Sequence, residues 1–180
     1  MILGEGAGIF VRESEAAMAA RGATPIAWMA GYGTSSDARD IIQPDIDGAS
    51  SAMRAALSDA GLEPEAIRYV NAHGTGTVLN DVNEAQALDR VFGAAMATIP
   101  VSSTKPAVGH ALGASGALEL VVTIAALPEA TVPPHINLTV ADPRCPLFLP
   151  AKALSQPIGA AMSKSFAFGG IKACLIVTTV

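Results

Sequence analysis

The sequence predicts an α/β fold in which a mixed sheet is layered with helices, and three observations carry that expectation. Strand-like and helix-like segments alternate along the chain, the pattern of a sheet covered on both faces. Hydrophobic residues make up 51% of the 180 and charged residues only 15%. That excess of apolar surface needs covering, by helices on both sheet faces or by a partner. Finally, the short apolar stretch Tyr69-Val70-Asn71-Ala72 runs into His73-Gly74-Thr75-Gly76-Thr77, residues that cannot extend a strand. Open α/β sheets place their crevices at such strand ends.

Taken in order, Ala7 to Val11 reads as a strand with no polar lead-in, as though the chain had been cut inside a larger fold. Ser14 caps a short Ala-rich helix, Glu15 to Ala20, that Gly22 ends. Ile26 to Gly33 is a second strand, with Gly31-Tyr32-Gly33 as the turn that closes it, and Ile41 to Asp47 is a polar loop. Ala52, Met53, Ala56, Leu57 and Ala60 recur at helical spacing, and Gly61 sits where a left-handed C-terminal residue belongs. Ile67 to Ala72 is the strand that carries His73. Asp81 caps the next helix, with Glu84 at the reciprocal capping-box position. Val82, Ala85, Leu88, Val91 and Phe92 form its buried stripe, and Gly93 stops it. A short strand near Ile99 to Ser102 precedes an apolar helix spanning Gly109 to Leu127. Thr131 to Pro150 is a proline-rich, irregular excursion. Gly159 to Phe166 and Ala173 to Thr179 close the chain as a strand pair, read as antiparallel through Phe168-Gly169-Gly170. No repeat or linker divides the chain, so residues 1–180 read as one domain.

Composition also excludes. A formal net charge of -5 gives a nucleic-acid role no electrostatic support. The longest apolar run, Leu118 to Leu127, contains Glu119 and Thr123 and is too short for a bilayer. The N-terminus lacks the basic start of a signal peptide, so the expectation is a soluble cytoplasmic protein without membrane contact. Two cysteines without paired spacing suggest neither a disulfide framework nor a metal knuckle.

The residues that could carry chemistry centre on two histidines. His73 stands at a strand end before a loop of Gly and Thr. His110 is bracketed by Gly109 and Gly113 at the expected helix start, where the helix dipole would disfavour imidazolium. Two neutral imidazole N–H groups aimed at one point would stabilise a developing enolate or oxyanion. Lys105 is either a solvated lysine or the partner of Glu84 and Glu119, carboxylates in apolar surroundings that need a cation. Thr75 and Thr77 are ordinary turn formers or contacts for a long polar thioester arm. His135 lies in an irregular loop, and no histidine pair has the short spacing of a helical metal motif. Gly4-Glu5-Gly6-Ala7-Gly8 looks like a phosphate loop but is followed by a strand rather than a helix. Cys145 sits in a turn and Cys174 in an apolar strand, and there is no Gly-x-Ser-x-Gly elbow. The residues thus describe a site without a nucleophile.

Asn71-Ala72-His73-Gly74-Thr75-Gly76-Thr77, Asn80-Asp81, Ser102-Ser103-Thr104-Lys105 through Gly109-His110, and Phe166-Ala167-Phe168-Gly169-Gly170 together resemble the β-ketoacyl-acyl-carrier-protein synthases. The match is closest in kind to the type II bacterial condensing enzymes, including their nodulation-type relatives. The resemblance implies a thiolase-like fold of two similar halves, of which this chain looks like the C-terminal one. The cysteine that takes the acyl chain from acyl carrier protein would then lie in the missing N-terminal half. It further implies a homodimer, no metal or redox cofactor, and a decarboxylative condensation with malonyl carrier protein. By motif position His73 and His110 look like the catalytic histidines and Lys105 like the active-site lysine, with Glu84 and Glu119 as buried support. Thr75 and Thr77 look like the pantetheine contacts and Phe168 like the gate of the acyl pocket. Two departures stand out: Lys164 and Lys172 occupy positions where the family usually has Asn, and unpaired ammonium groups buried there would be costly. They speak mildly for a rival reading, a non-catalytic, chain-length-determining subunit on the same fold. A ligand- or zinc-binding module using the histidines is a third.

Overall fold

The computed structural model describes residues 1–40 and 44–180. Along the chain, α1 (Glu15–Ala20) precedes β1 (Trp28–Ser36), α2 (Ile46–Ala60), β2 (Tyr69–Asn71), α3 (Val78–Phe92), β3 (Val101–Ser102), α4 (Lys105–Val108) and α5 (Ser115–Ala126). A small ribbon of β4 (Thr131–Val132) and β5 (Leu154–Ser155) then leads to β6 (Ala160–Phe166) and β7 (Ile171–Thr178). The central sheet has the order β1-β7-β6-β2-β3. β6 and β7 form the expected antiparallel pair and β1 joins β7 antiparallel, while β6-β2 and β2-β3 are parallel. The sheet is therefore mixed.

Register sorts the core by side-chain alternation. Val70, Met162 and Ile176 stand opposite one another and pack beneath Ala52 and Met53 of α2 and Ala87 and Leu88 of α3. Their neighbours Tyr69, Ala161 and Val177 point the other way, onto Leu120 of α5, Leu127 and Ile158. Each large side chain sealed in these layers, such as Met53 or Leu88, contributes about 1.5–3 kcal/mol. The same alternation puts Lys164 and Phe166 on the α2/α3 face and Ser165 on the α5 face.

Local signals hold where they are self-contained. Ser14 Oγ accepts from the Ala17 N–H at 3.2 Å, and Gly61 closes α2 at φ 62°, ψ 32°. Where a segment depends on distant neighbours, the structure departs from expectation. Ala7 to Val11 is not a strand: Gly6 and Gly8 run over Leu118 and Ala117 of α5, a helix surface that offers no ladder partners, and Ile9 and Val11 stay exposed. Gly31 and Gly33 are no turn but lie within β1, because a Cβ on either would run into the carbonyl oxygens of Ala56 and Ala52 as α2 crosses. Of the loop expected over Ile41 to Asp47, Ile41, Ile42 and Gln43 lie outside the described residues, and Asp45 already caps α2, its side chain accepting from Gly48 N–H. α3 starts a turn before Asp81, and Glu84 makes no capping box. The helix expected from Gly109 begins only at Ser115, after Leu112 adopts φ 50°. Among the described residues no helix is long and apolar enough to cross a membrane.

Candidate active site

Where the chain leaves β2, Ala72 still donates to the Ser102 carbonyl (2.9 Å), and the next two N–H groups are taken by a carboxylate. Glu84, projected from α3, accepts from His73 N–H and Gly74 N–H, both at 2.8 Å. This use replaces the capping box: a buried strand end with orphan donors needs the carboxylate more than an exposed helix start does. Burial alone would raise the Glu84 carboxyl, but the Lys164 ammonium, His73 and the Gly74 N–H outweigh it and hold it at about 2.

Lys105, at the first turn of α4, is buried and not solvated. Its Nζ pairs with Glu119 of α5, donates to the His73 carbonyl oxygen, and lies 3.3 Å from His73 Nδ1. An ammonium can only donate, so Nδ1 accepts and the ring proton falls on Nε2. Glu119 Oε2 also accepts from Ser165 Oγ at 3.2 Å. Burial pushes Glu119 up to about 7, against the pull of Lys105. Asn71 ties the same helix to β2 by donating to the Glu119 carbonyl oxygen and Thr123 Oγ1, each at 3.1 Å.

His110 reaches the same place from the other side. It is held by a backbone bridge to the N-terminal stretch: His110 N–H donates to Ile2 O (2.8 Å) and Gly4 N–H to His110 O (3.1 Å). Gly4, from the run that failed as a phosphate loop, serves here, since a Cβ on it would strike the Val108 carbonyl oxygen. The His110 Nδ1 accepts from Leu112 N–H (3.2 Å) and lies 2.8 Å from Ser115 Oγ, so its ring proton is also on Nε2. The two rings stand 5.6 Å apart between centroids at 87°, edge to face. Both resist protonation: burial first and Lys105 second bring His73 down to about 3 and lower His110. The helix dipole invoked for His110 is not the cause, because α5 starts five residues later.

Of the other residues, half-buried Thr75 and exposed Thr77 share a 2.8 Å hydroxyl hydrogen bond and border a cavity of about 660 Å³ with Lys105, His110 and His135. Phe168 stands 76% exposed on a turn, and Phe166 rather than Phe168 packs on His73, with ring centroids 5.6 Å apart. His135 accepts from Ser103 N–H at 3.3 Å, and among the described residues no three His, Cys, Asp or Glu side chains gather as a metal would require. Cys174 is buried in β7, its thiol pushed by burial up to about 12.

A family model described as β-ketoacyl synthase, C-terminal domain, matches residues 26–139. The chain belongs to the β-ketoacyl synthase family. It is 46% identical over 175 residues to nodulation protein E of Rhizobium leguminosarum bv. trifolii, covering 97% of this chain and 44% of that protein. It is 44% identical over 178 residues to 3-oxoacyl-[acyl-carrier-protein] synthase 2 of Staphylococcus aureus, covering 97% of this chain and 43% of that one. Among solved structures, the ishigamide ketosynthase/chain length factor superposes with a TM-score of 0.94 at 40% identity, over 99% of this chain and 44% of that one. A β-ketoacyl synthase from Burkholderia phymatum gives 0.89 at 44% identity, over 93% and 41%. The fold is thus thiolase-like, and the chain spans under half the length of the relatives it matches. Within this family the two lysine departures are buried but not unpaired. Lys164 Nζ is 3.0 Å from Glu84 Oε1, an ion-pair contact without an aligned hydrogen bond, and Lys172 Nζ donates to Asp37 Oδ2 at 2.8 Å.

Proposed function

We propose that the chain is the C-terminal half of a 3-oxoacyl-[acyl-carrier-protein] synthase, in which His73 and His110 form the oxyanion hole for decarboxylation of a malonyl thioester. One observation carries the reading: two uncharged imidazoles, each with Nδ1 used as an acceptor, leave two Nε2–H donors at one site. When the malonyl C–C bond breaks, carbon dioxide leaves and the electron pair moves onto the thioester oxygen. Two fixed N–H donors that reach that oxygen stabilise the enolate without reorganisation. The carbanion then attacks the acyl thioester on a cysteine of the N-terminal half, expelling the thiolate. Lys105, paired with Glu119, orients His73; Thr75 and Thr77 hold the pantetheine arm, and Phe168 gates the acyl pocket. No cofactor is required.

The reading treats residues 1–180 as one domain that acts with the N-terminal half, acyl carrier protein and a second copy in the cytoplasm, and as inactive alone. The exposed Ile2, Leu3, Ile9 and Val11 supply apolar surface for the other half to cover. In the two-half protein, His73→Ala or His110→Ala should slow malonyl-thioester decarboxylation by about 10²–10³-fold. Unchanged rates would remove both from the site. The likeness to a ketosynthase/chain length factor favours a second reading, a partner subunit that shapes the pocket without an acyl-enzyme. A cysteine at a strand-to-helix turn in the N-terminal half selects the first reading, and its absence the second.

A further inference from the structure

Ionic side chains from four elements gather about His73: Glu84 from α3 and Lys105 from α4 touch it, Lys164 from β6 pairs with Glu84 and Glu119 from α5 with Lys105, with His110 beside them. Lys164 is 0% exposed, so its charge is fully desolvated, and its contact is the same Glu84 oxygen that accepts from His73 N–H. Its ammonium also lies 5.6 Å from the centroid of Phe166, the ring that packs on His73. A buried ammonium in this position needs a function or an exact counter-charge, and Glu84 supplies the latter.

We propose that Lys164 is a positioning residue for His73: it neutralises Glu84, the carboxylate that fixes the His73 and Gly74 N–H groups, so that this carboxylate bears no uncompensated charge beside the imidazole. Each carboxylate of the cluster then has its own cation, Glu84 with Lys164 and Glu119 with Lys105. Remove Lys164 and the negative charge of Glu84 is left uncompensated beside His73, which favours imidazolium and takes away the uncharged donor. An amide at this position could hydrogen-bond to Glu84 but could not cancel its charge. In this chain, therefore, the catalytic use of His73 depends on a residue outside the motifs that carry the family resemblance. The inference rests on the reading of His73 as an oxyanion donor.

The test follows the His73 ring by ¹H–¹³C NMR through a pH titration of the full 180-residue chain and of Lys164→Met, Lys164→Asn and Lys164→Arg. The two neutral variants should raise the His73 midpoint by about one pH unit or more, and Lys164→Arg should leave it in place. Neutral variants that titrate like the parent chain would overturn the proposal. If neither neutral variant folds, Glu84→Gln/Lys164→Met removes one charge of each sign. A folded double variant with the parent midpoint supports the pairing; an unfolded one, or one with a raised midpoint, overturns it. The readout is independent of turnover. Unchanged decarboxylation in the histidine variants would sink the functional reading, and an unmoved midpoint would sink the role of Lys164.

Discussion

Replacing Lys172 by methionine removes the ammonium that faces Asp37 at 2.8 Å, in a pair whose side chains are 1% and 4% exposed. The stranded carboxylate has little room to escape. It lies against the α-carbons of Gly170 and Gly48, and the Asp37 N–H donates to Gly170 O at 3.2 Å. At that separation the gross attraction is about 6 kcal/mol with an effective dielectric of about 20. Desolvation consumes much of it when the pair forms, but losing one partner still costs about 3–5 kcal/mol, because the other stays buried and charged. For a chain of this size that lowers the melting temperature by about 10 °C. The Asp37→Asn/Lys172→Met double variant removes both charges and should recover most of the loss. Urea denaturation of the parent, both single variants and the double variant gives the coupling directly. A Lys172→Met chain within about 0.5 kcal/mol of the parent, or a double variant as weak as the sum of the singles, would refute the pairing.

Acid stability should follow three buried groups. His73 at about 3 lies below its ordinary 6.5 and Glu84 at about 2 below its ordinary 4.5. The unfolded chain therefore takes up protons first at both, and stability is lost as pH falls, from about 6.5 for His73 and from about 4.5 for Glu84. Glu119, raised to about 7 from 4.5, works in the opposite sense and stabilises as pH falls between those values. The profile should thus stay nearly level from about pH 6.5 to 4.5 and then drop by about 2–3 kcal/mol per pH unit. Urea midpoints across that range check it, and a steady decline from pH 6.5 would mean that Glu119 titrates in the ordinary range. Gly33→Val should cost about 3 kcal/mol or more, since α2 cannot stay seated over β1; a near-neutral result in the same assay would contradict that packing.

The parts of the site that were legible in the sequence are those set by short-range chemistry. A strand that runs into His73-Gly74 must end there, and carboxylates in apolar segments must find cations: the expected partner Lys105 does pair with Glu119, whereas Glu84 takes Lys164 instead. The parts that were not legible depend on elements distant in sequence. Gly31 and Gly33 read as a turn because nothing local reveals that α2 crosses them. Phe166 escaped notice beside Phe168 because only the register of β6 decides which of the two faces His73. The pairing of Lys172 with Asp37 spans 135 residues, and no periodicity could announce it. His110 was expected to owe its neutrality to a helix start, yet a bridge to Ile2 and Gly4 holds it in an irregular loop that burial and Lys105 keep uncharged.

The nitrogen chemical shifts of the two imidazoles at neutral pH, assigned by ¹H–¹⁵N NMR, bear most directly on the oxyanion hole. Both rings should be uncharged with the proton on Nε2, His73 Nδ1 accepting from Lys105 and His110 Nδ1 from Leu112 and Ser115. An imidazolium, or an Nδ1–H tautomer on either ring, would leave the site short of a donor and contradict the account.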